Sequence, residues 1–303
     1  MQQMGDVEEM LRVEDSTMKR GVLFGGLFVT ALVLFNLPLR QLFGLSTHDE
    51  LYSHIPLIPL VSLYFFFVER KRIFFDTRYS FQIGIPLVVL GLASYLFGAG
   101  HHQDYQVNDY LAVMMFGFFL WVLGAFMLSY GVRAFKEAVF PLVFLVFLVP
   151  IPHFVLDPYI RFLQRWSAEA AYGVFKTIGV PLHREGFVFS LPGLSVEVAE
   201  QCSGIRSSLA LFITSIVSGK LFLETGWRRI ILALCVFPIA VFKNGLRIVS
   251  LSLLGAYVNV RFIEGHWLHR SGGIPFFVVA LLLLVPIVWG LRRAERKARK
   301  QES

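Results

Sequence analysis

The sequence predicts an all-α polytopic membrane protein of about eight transmembrane helices, with an interfacial helix and a short outer-face β-hairpin before the sixth. Three observations lead there. Of 303 residues, 56% are hydrophobic and only 16% charged, too few charges to cover a soluble domain of this length. Mean hydropathy is +0.64, and apolar runs long enough to span a bilayer recur from end to end. Loops between these runs alternate between basic and non-basic, the signature of a chain crossing repeatedly. Helices are the expected element because isolated strands cannot satisfy their backbone groups in lipid.

The first four spans fall near 21–39, 51–68, 81–100 and 111–130. A fifth, near 138–156, is interrupted by Pro141, Pro150 and Pro152, and three more lie near 206–223, 230–248 and 274–291. Arg12, Lys19 and Arg20 precede span one, Arg70, Lys71, Arg72 and Arg78 follow span two, Arg133 and Lys136 follow span four, and Arg228 and Arg229 follow span six. These share one side if both termini are cytoplasmic, and the opposite loops 40–50 and 101–110 carry Arg40 as their one Lys or Arg. The chain divides into a cytoplasmic segment 1–20, one transmembrane domain 21–291 and a basic cytoplasmic tail 292–303. Residues 1–20 are polar and mixed in charge, so no cleaved signal peptide is expected. Six cations crowd the tail (Arg292, Arg293, Arg296, Lys297, Arg299, Lys300), so the net charge of +7 points to anionic lipid rather than nucleic acid.

Residues 157–205 form the longest stretch between spans and depart from this charge pattern, carrying Arg161, Arg165, Lys176 and Arg184 on the expected outer side. Phe162, Leu163, Trp166, Ala170 and Val174 recur there at helical spacing with charges between them, predicting an interfacial amphipathic helix over 159–180. Residues 186–200 alternate instead, with Pro192-Gly193 between two short runs, predicting a β-hairpin. The hairpin leads into Gln201-Cys202-Ser203-Gly204-Ile205-Arg206, where span six begins.

Two cysteines are too few for a disulfide framework. Cys235 sits among apolar residues in mid-span and reads as a packing residue. Cys202 lies at a hairpin-to-helix junction, where the helix N-terminus and Arg206 favour a thiolate, leaving a nucleophile or a structural thiol as the two readings. Arg247 falls near the same outer interface, with Lys243 and Asn244 on its helical face. A snorkelling arginine is the plain alternative, but residues 248–257 remain apolar, so the cation is embedded rather than terminal. His266 and His269 occupy the last outer loop and have the chemistry of an acid or base. Tyr52-Ser53-His54 opens span two on the same face and could line a groove. His101, His102, Asp104 and Asp109 are too loosely spaced for a metal site and read as an exposed loop, so neither metal nor cofactor is expected. Gly21 and Gly25 form a small-xxx-small pair, a packing signal. The chain has no Walker loop, dinucleotide fingerprint or HExxH.

Taken together these residues resemble the exosortase/archaeosortase family. Cys202-Ser203-Gly204-Ile205-Arg206-Ser207 is similar to its Cys-Ser-Gly-(Ile/Leu)-Arg-Ser motif, Asn244-Gly245-Leu246-Arg247-Ile248 to its Asn-x-x-Arg-Ile motif, and His269-Arg270-Ser271-Gly272 to its late His-x-x-Gly. Tyr52-Ser53-His54 with Pro56 and Pro59, and Pro150-Ile151-Pro152, resemble its early and mid-chain segments. The resemblance implies an inner-membrane cysteine transpeptidase that cleaves C-terminal sorting signals of exported proteins: a short Pro-Glu-Pro-like motif, a helix and a basic tail. It implies Cys202 as nucleophile, Arg247 as second catalytic position and His269 as third, with His266 the alternative histidine. Arg206, Asn244, Tyr52 and His54 are expected to support or bind substrate. A multi-pass transporter or scaffold for envelope or exopolysaccharide biogenesis is the non-enzymatic rival, and a signal peptidase using water as acceptor is the enzymatic one.

Overall fold

The computed structural model describes residues 2–101, 103–199, 203–264 and 273–302. The protein is 80% helical with one small sheet, and is a multi-pass membrane protein. Among the described residues, six helices are long and apolar enough on their own to cross a membrane, and two bent pairs bring the number to as many as eight. The chain separates into two compact units, Met1–His153 and Phe154–Ser303.

In the first unit, α1 (Gln2–Leu34) and α2 (Asn36–His48) take the place of a straight first span and meet at 68°. Pro38 has no N–H to offer the carbonyl of Leu34, so the ladder stops there. Phe35 at the corner is fully buried, edge-on to Tyr95 and Phe118, which fixes the bend in the core. A 3₁₀ turn (Glu50–Tyr52) leads into α3 (Leu57–Ile73), followed by α4 (Phe81–Gly100), α5 (Val107–Glu137) and α6 (Val139–Phe144). The expected fifth span stops early: a second 3₁₀ turn ends at Leu148 and the chain breaks at Val149-Pro150-Ile151-Pro152. Helix α5 is apolar on every side and forms the centre of this unit, with 78% of its most apolar stretch buried.

Glycines set how closely α4 meets α5. Gly84, Gly91 and Gly98 recur every seven residues on α4, and Gly117 and Gly124 do so on α5. A Cβ at Gly91 would lie 2.7 Å from the carbonyl oxygen of Gly117, and one at Gly117 would lie 2.9 Å from that of Gly91. The two backbones touch, as in the small-residue interfaces of membrane helices. The Gly21–Gly25 pair plays no such part: a Cβ at Gly25 would meet nothing within 4 Å. Basic segments expected on one side do gather at one end of this unit, where Arg20 donates to Thr77, Arg133 pairs with Asp76 and Arg72 pairs with Glu137 at 3.2 Å.

The second unit holds α7 (His153–Thr177) from Phe154 onward, a sheet of β1 (His183–Glu185), β2 (Val188–Leu191) and β3 (Leu194–Glu197), then α8 (Ile205–Phe222), α9 (Gly226–Tyr257), α10 (Arg261–Glu264) and α11 (Gly273–Glu302). The helix expected over 159–180 is α7, which starts earlier. The hairpin forms with Pro192-Gly193 as its turn and Leu191 opposite Leu194, and β1 adds a third antiparallel strand. Arg184 of β1 ties the sheet to α7 through both oxygens of Glu169, at 2.8 and 3.1 Å.

Helix α9 runs nine residues past the expected end of span seven, to Tyr257. Its extension is not lipid-facing surplus. Ile248 and Val249 pack with Phe175, Phe189, Leu191 and Val198 in a core shared with α7 and the sheet. At its other end α9 joins α11: the Glu295 carboxylate accepts the backbone N–H groups of Glu224 and Thr225 at 3.0 and 2.7 Å and Arg228 Nη1 at 3.2 Å. It thereby occupies the start of α9, where backbone donors have no partner within the helix. Glu295→Ala is expected to destabilise the protein, because it removes the acceptor shared by two backbone N–H groups and Arg228. Thermal unfolding in detergent should show a drop of several degrees in Tm, and an unchanged Tm would contradict this role.

Candidate functional site

The site in the second unit is built where β3 hands over to α8. Val198 is fixed through both backbone groups: its N–H donates to the carbonyl of Phe187 at 2.9 Å, and its carbonyl accepts from Gln164 Nε2 at 2.6 Å. Both Val198 and Gln164 are buried, so the chain leaves the sheet from a pinned point four residues before Cys202. It is pinned again just after. Ser203 and Gly204 are buried, and Gly204 carries φ +77 at the N-cap of α8.

Gly204 is required twice over. Its φ lies in the left-handed region that costs other residues about 1–2 kcal/mol. A Cβ there would also stand 2.8 Å from Asn244 Oδ1. The Cys-Ser-Gly segment and the Asn-x-x-Arg segment, forty residues apart in sequence, are therefore in direct contact. One residue along α9, Lys243 Nζ donates to Ser207 Oγ in the first turn of α8. Tyr159 of α7 donates to Ser208 Oγ at 3.3 Å, so a third helix closes on the same turn.

On α9, Lys243 and Asn244 are 2% and 1% exposed, and Arg247 follows one turn later, half-buried on the same face. Gly245 lets α7 cross here, since a Cβ would fall 2.9 Å from that of Ala170. Arg206 is exposed on the first turn of α8. Cys235 sits eight residues before Lys243, roughly 12 Å along the helix and away from this cluster. Cys202, His266 and His269 lie outside the described residues, as does His102.

Tyr52 and His54 belong to the first unit. Tyr52 is buried and donates to Asn108 Oδ1, while Asn108 Nδ2 donates to the carbonyl of Ile151 at 2.8 Å. Asn108 thus joins the Tyr-Ser-His segment to the Pro-x-Pro segment. His54 is half-buried, with Nδ1 3.1 Å from the carbonyl of Leu51. Asp109 Oδ1 accepts the backbone N–H of His153 at 2.8 Å and lies 3.1 Å from His153 Nδ1. Sequence reasoning missed Asn108 and His153; the one signal for them was polar residues flanking apolar runs on the expected outer side. Among the described residues no group of three or more His, Cys, Asp or Glu could hold a metal ion.

Residues 46–286 match the sequence model of a protein family described as transmembrane exosortase, which covers most of the chain. No curated protein and no solved structure matches it.

Proposed function

The chain belongs to the transmembrane exosortase family, and from that premise we propose that it is a cysteine transpeptidase cleaving C-terminal sorting signals of exported proteins at the periplasmic face of the inner membrane. The observation that carries this reading is the contact of Gly204 and Ser207 on α8 with Asn244 and Lys243 on α9. It brings the start of α8, which follows Cys202 in the chain, against the turn of α9 that precedes Arg247.

In the proposed reaction the Cys202 thiolate attacks the scissile carbonyl. The C–N bond breaks as the C–S bond of a thioester forms, and the leaving amine takes a proton from His269. The acceptor nucleophile returns a proton to His269 as it displaces the thiolate. Arg247 stabilises the negative charge that develops on the carbonyl oxygen or rests on the sulfur. The substrate's helix docks laterally among the spans and its basic tail stays cytoplasmic, in line with the charge distribution of the loops. In this reading both termini lie in the cytoplasm, and the basic tail meets anionic lipid.

A buried lysine in mid-helix also suits the rival reading of a transport pathway. Trapping separates the two. Cys202→Ser co-expressed with a signal-bearing protein is expected to accumulate an ester-linked adduct, and a transporter would give none. Arg247→Lys is expected to lower processing at least about tenfold, because an ammonium cannot present a planar fork of donors. Quantifying cleaved product against membrane-inserted enzyme checks this, and near-normal processing would remove Arg247 from the reaction.

A further inference from the structure

We propose that the groove between α8 and α11 seats one phospholipid with an anionic headgroup: an acyl chain lies along its apolar walls and the phosphate meets Arg292. The groove lies within the second unit and has a volume of about 430 Å³. Its walls are Thr214 and Phe222 of α8 and Leu281, Val285 and Val288 of α11, and it ends at Arg292. Residues three or four apart share a helical face, so each wall is one stripe of its helix. Leu284, which also lines the groove, is 3% exposed and packs in the core with Leu211, Leu232 and Val236. Thr214 adds little polarity, because its hydroxyl donates back to the carbonyl of Ala210 at 2.8 Å. Val285 is 63% exposed, so this wall is open to whatever surrounds the helix.

The length of the groove and the charge at its end identify the occupant. Leu281 and Arg292 are eleven residues apart, about 16 Å along α11. That is close to the depth of one leaflet in a hydrocarbon core roughly 30 Å thick. An acyl chain fits this run, and its glycerophosphate then falls at Arg292. Arg292 is exposed, with its guanidinium 5.9 Å from the centroid of the Phe222 ring. Among the described residues it pairs with no carboxylate. The acids at this end are engaged elsewhere, Glu295 with Arg228 and Glu224 with Arg299, both at 3.2 Å. Trp289 lines the same end, is 62% exposed and carries Arg293 over its ring, a pairing suited to the membrane–water interface. Unpaired positive charge here disfavours the ammonium of a zwitterionic headgroup. It equally disfavours a helix with a basic tail, the form of the proposed substrate. A negatively charged phospholipid satisfies both the apolar walls and the cation. This is a single seat set by a groove, distinct from the diffuse attraction of the tail for anionic lipid, and it does not depend on the reaction proposed above.

The test titrates the delipidated full-length protein, in an uncharged detergent, with phosphatidylglycerol or phosphatidylcholine of identical chains. Native mass spectrometry reads the first bound lipid. Phosphatidylglycerol is expected to bind about fivefold more tightly, the worth of one interfacial arginine. Arg292→Gln should erase that preference. Arg296→Gln removes the same charge from an exposed position one turn along the tail and should stay within about twofold of the parent. Val285→Trp fills the groove without altering charge and should weaken both lipids at least about fivefold, since one or two displaced methylenes cost that much. Equal binding of the two lipids by the parent would overturn the proposal. Equal weakening by Arg292→Gln and Arg296→Gln would also do so, because the attraction would then belong to the tail as a whole. Unchanged binding in Val285→Trp would remove the groove as the seat. A synthetic apolar helix with a basic tail is added last, and the lipid should stay bound; its displacement would assign the groove to the sorting signal instead.

Discussion

Gly204→Ala is expected to lower signal processing at least about tenfold while the protein still inserts and accumulates. The added methyl meets two separate penalties. The left-handed backbone costs an alanine about 1–2 kcal/mol. The methyl also falls 2.8 Å from Asn244 Oδ1, so either the start of α8 or the Asn244 side chain must move. Either movement shifts the segment bearing Cys202 relative to the turn bearing Arg247, and misplacement of about an ångström can cost a hundredfold in rate. The steric origin makes a second variant informative. Asn244→Ala removes the obstructing amide, so the double variant should process no worse than the poorer single variant. Comparing cleaved product among the four proteins checks this, and strictly additive losses would mean that the two residues do not act on each other.

Gly91→Leu is expected to prevent the first unit from folding. A leucine there would drive into the backbone of α5, with its Cβ alone 2.7 Å from Gly117 O and 2.9 Å from Trp121 N. Overpacked side chains commonly cost about 1–3 kcal/mol, and a clash with backbone at a helix crossing lies at or above the top of that range. Size-exclusion chromatography of a fluorescent fusion should show little monodisperse protein. Gly25→Leu is the control, because its Cβ meets nothing within 4 Å and the variant should elute as wild type. Equal behaviour of the two variants would contradict the account of α4 and α5.

Hydropathy and loop charge made the helical, multi-pass architecture legible, because a bilayer imposes length and polarity on every span. What escaped was geometry without a local signature. Pro38 bends the first span, yet it sits near the end of an apolar run that reads as continuous. Strand β1 is His183-Arg184-Glu185, polar throughout, and its place comes from pairing with β2 and from Glu169 rather than from alternation. The seven-residue glycine spacing of α4 and α5 was present in the sequence, but its meaning depends on two helices facing each other. The apolar continuation after Arg247 was visible from the start, and the sheet core that covers it explains why it exists. At the site, the motifs named the residue types while folding supplied their partners. Lys243 meets Ser207 across 36 positions and Tyr52 meets Asn108 across 56, separations that no local pattern reports.

The most direct test co-expresses the protein with a tagged substrate ending in a Pro-Glu-Pro-type motif, an apolar helix and a basic tail, and measures the intact mass of the tagged product. With the wild-type enzyme the helix and tail should be lost, and any added mass would identify the acceptor. With Cys202→Ala the substrate should remain full length. Equal cleavage by both proteins would remove Cys202 as the nucleophile and contradict the account at its centre.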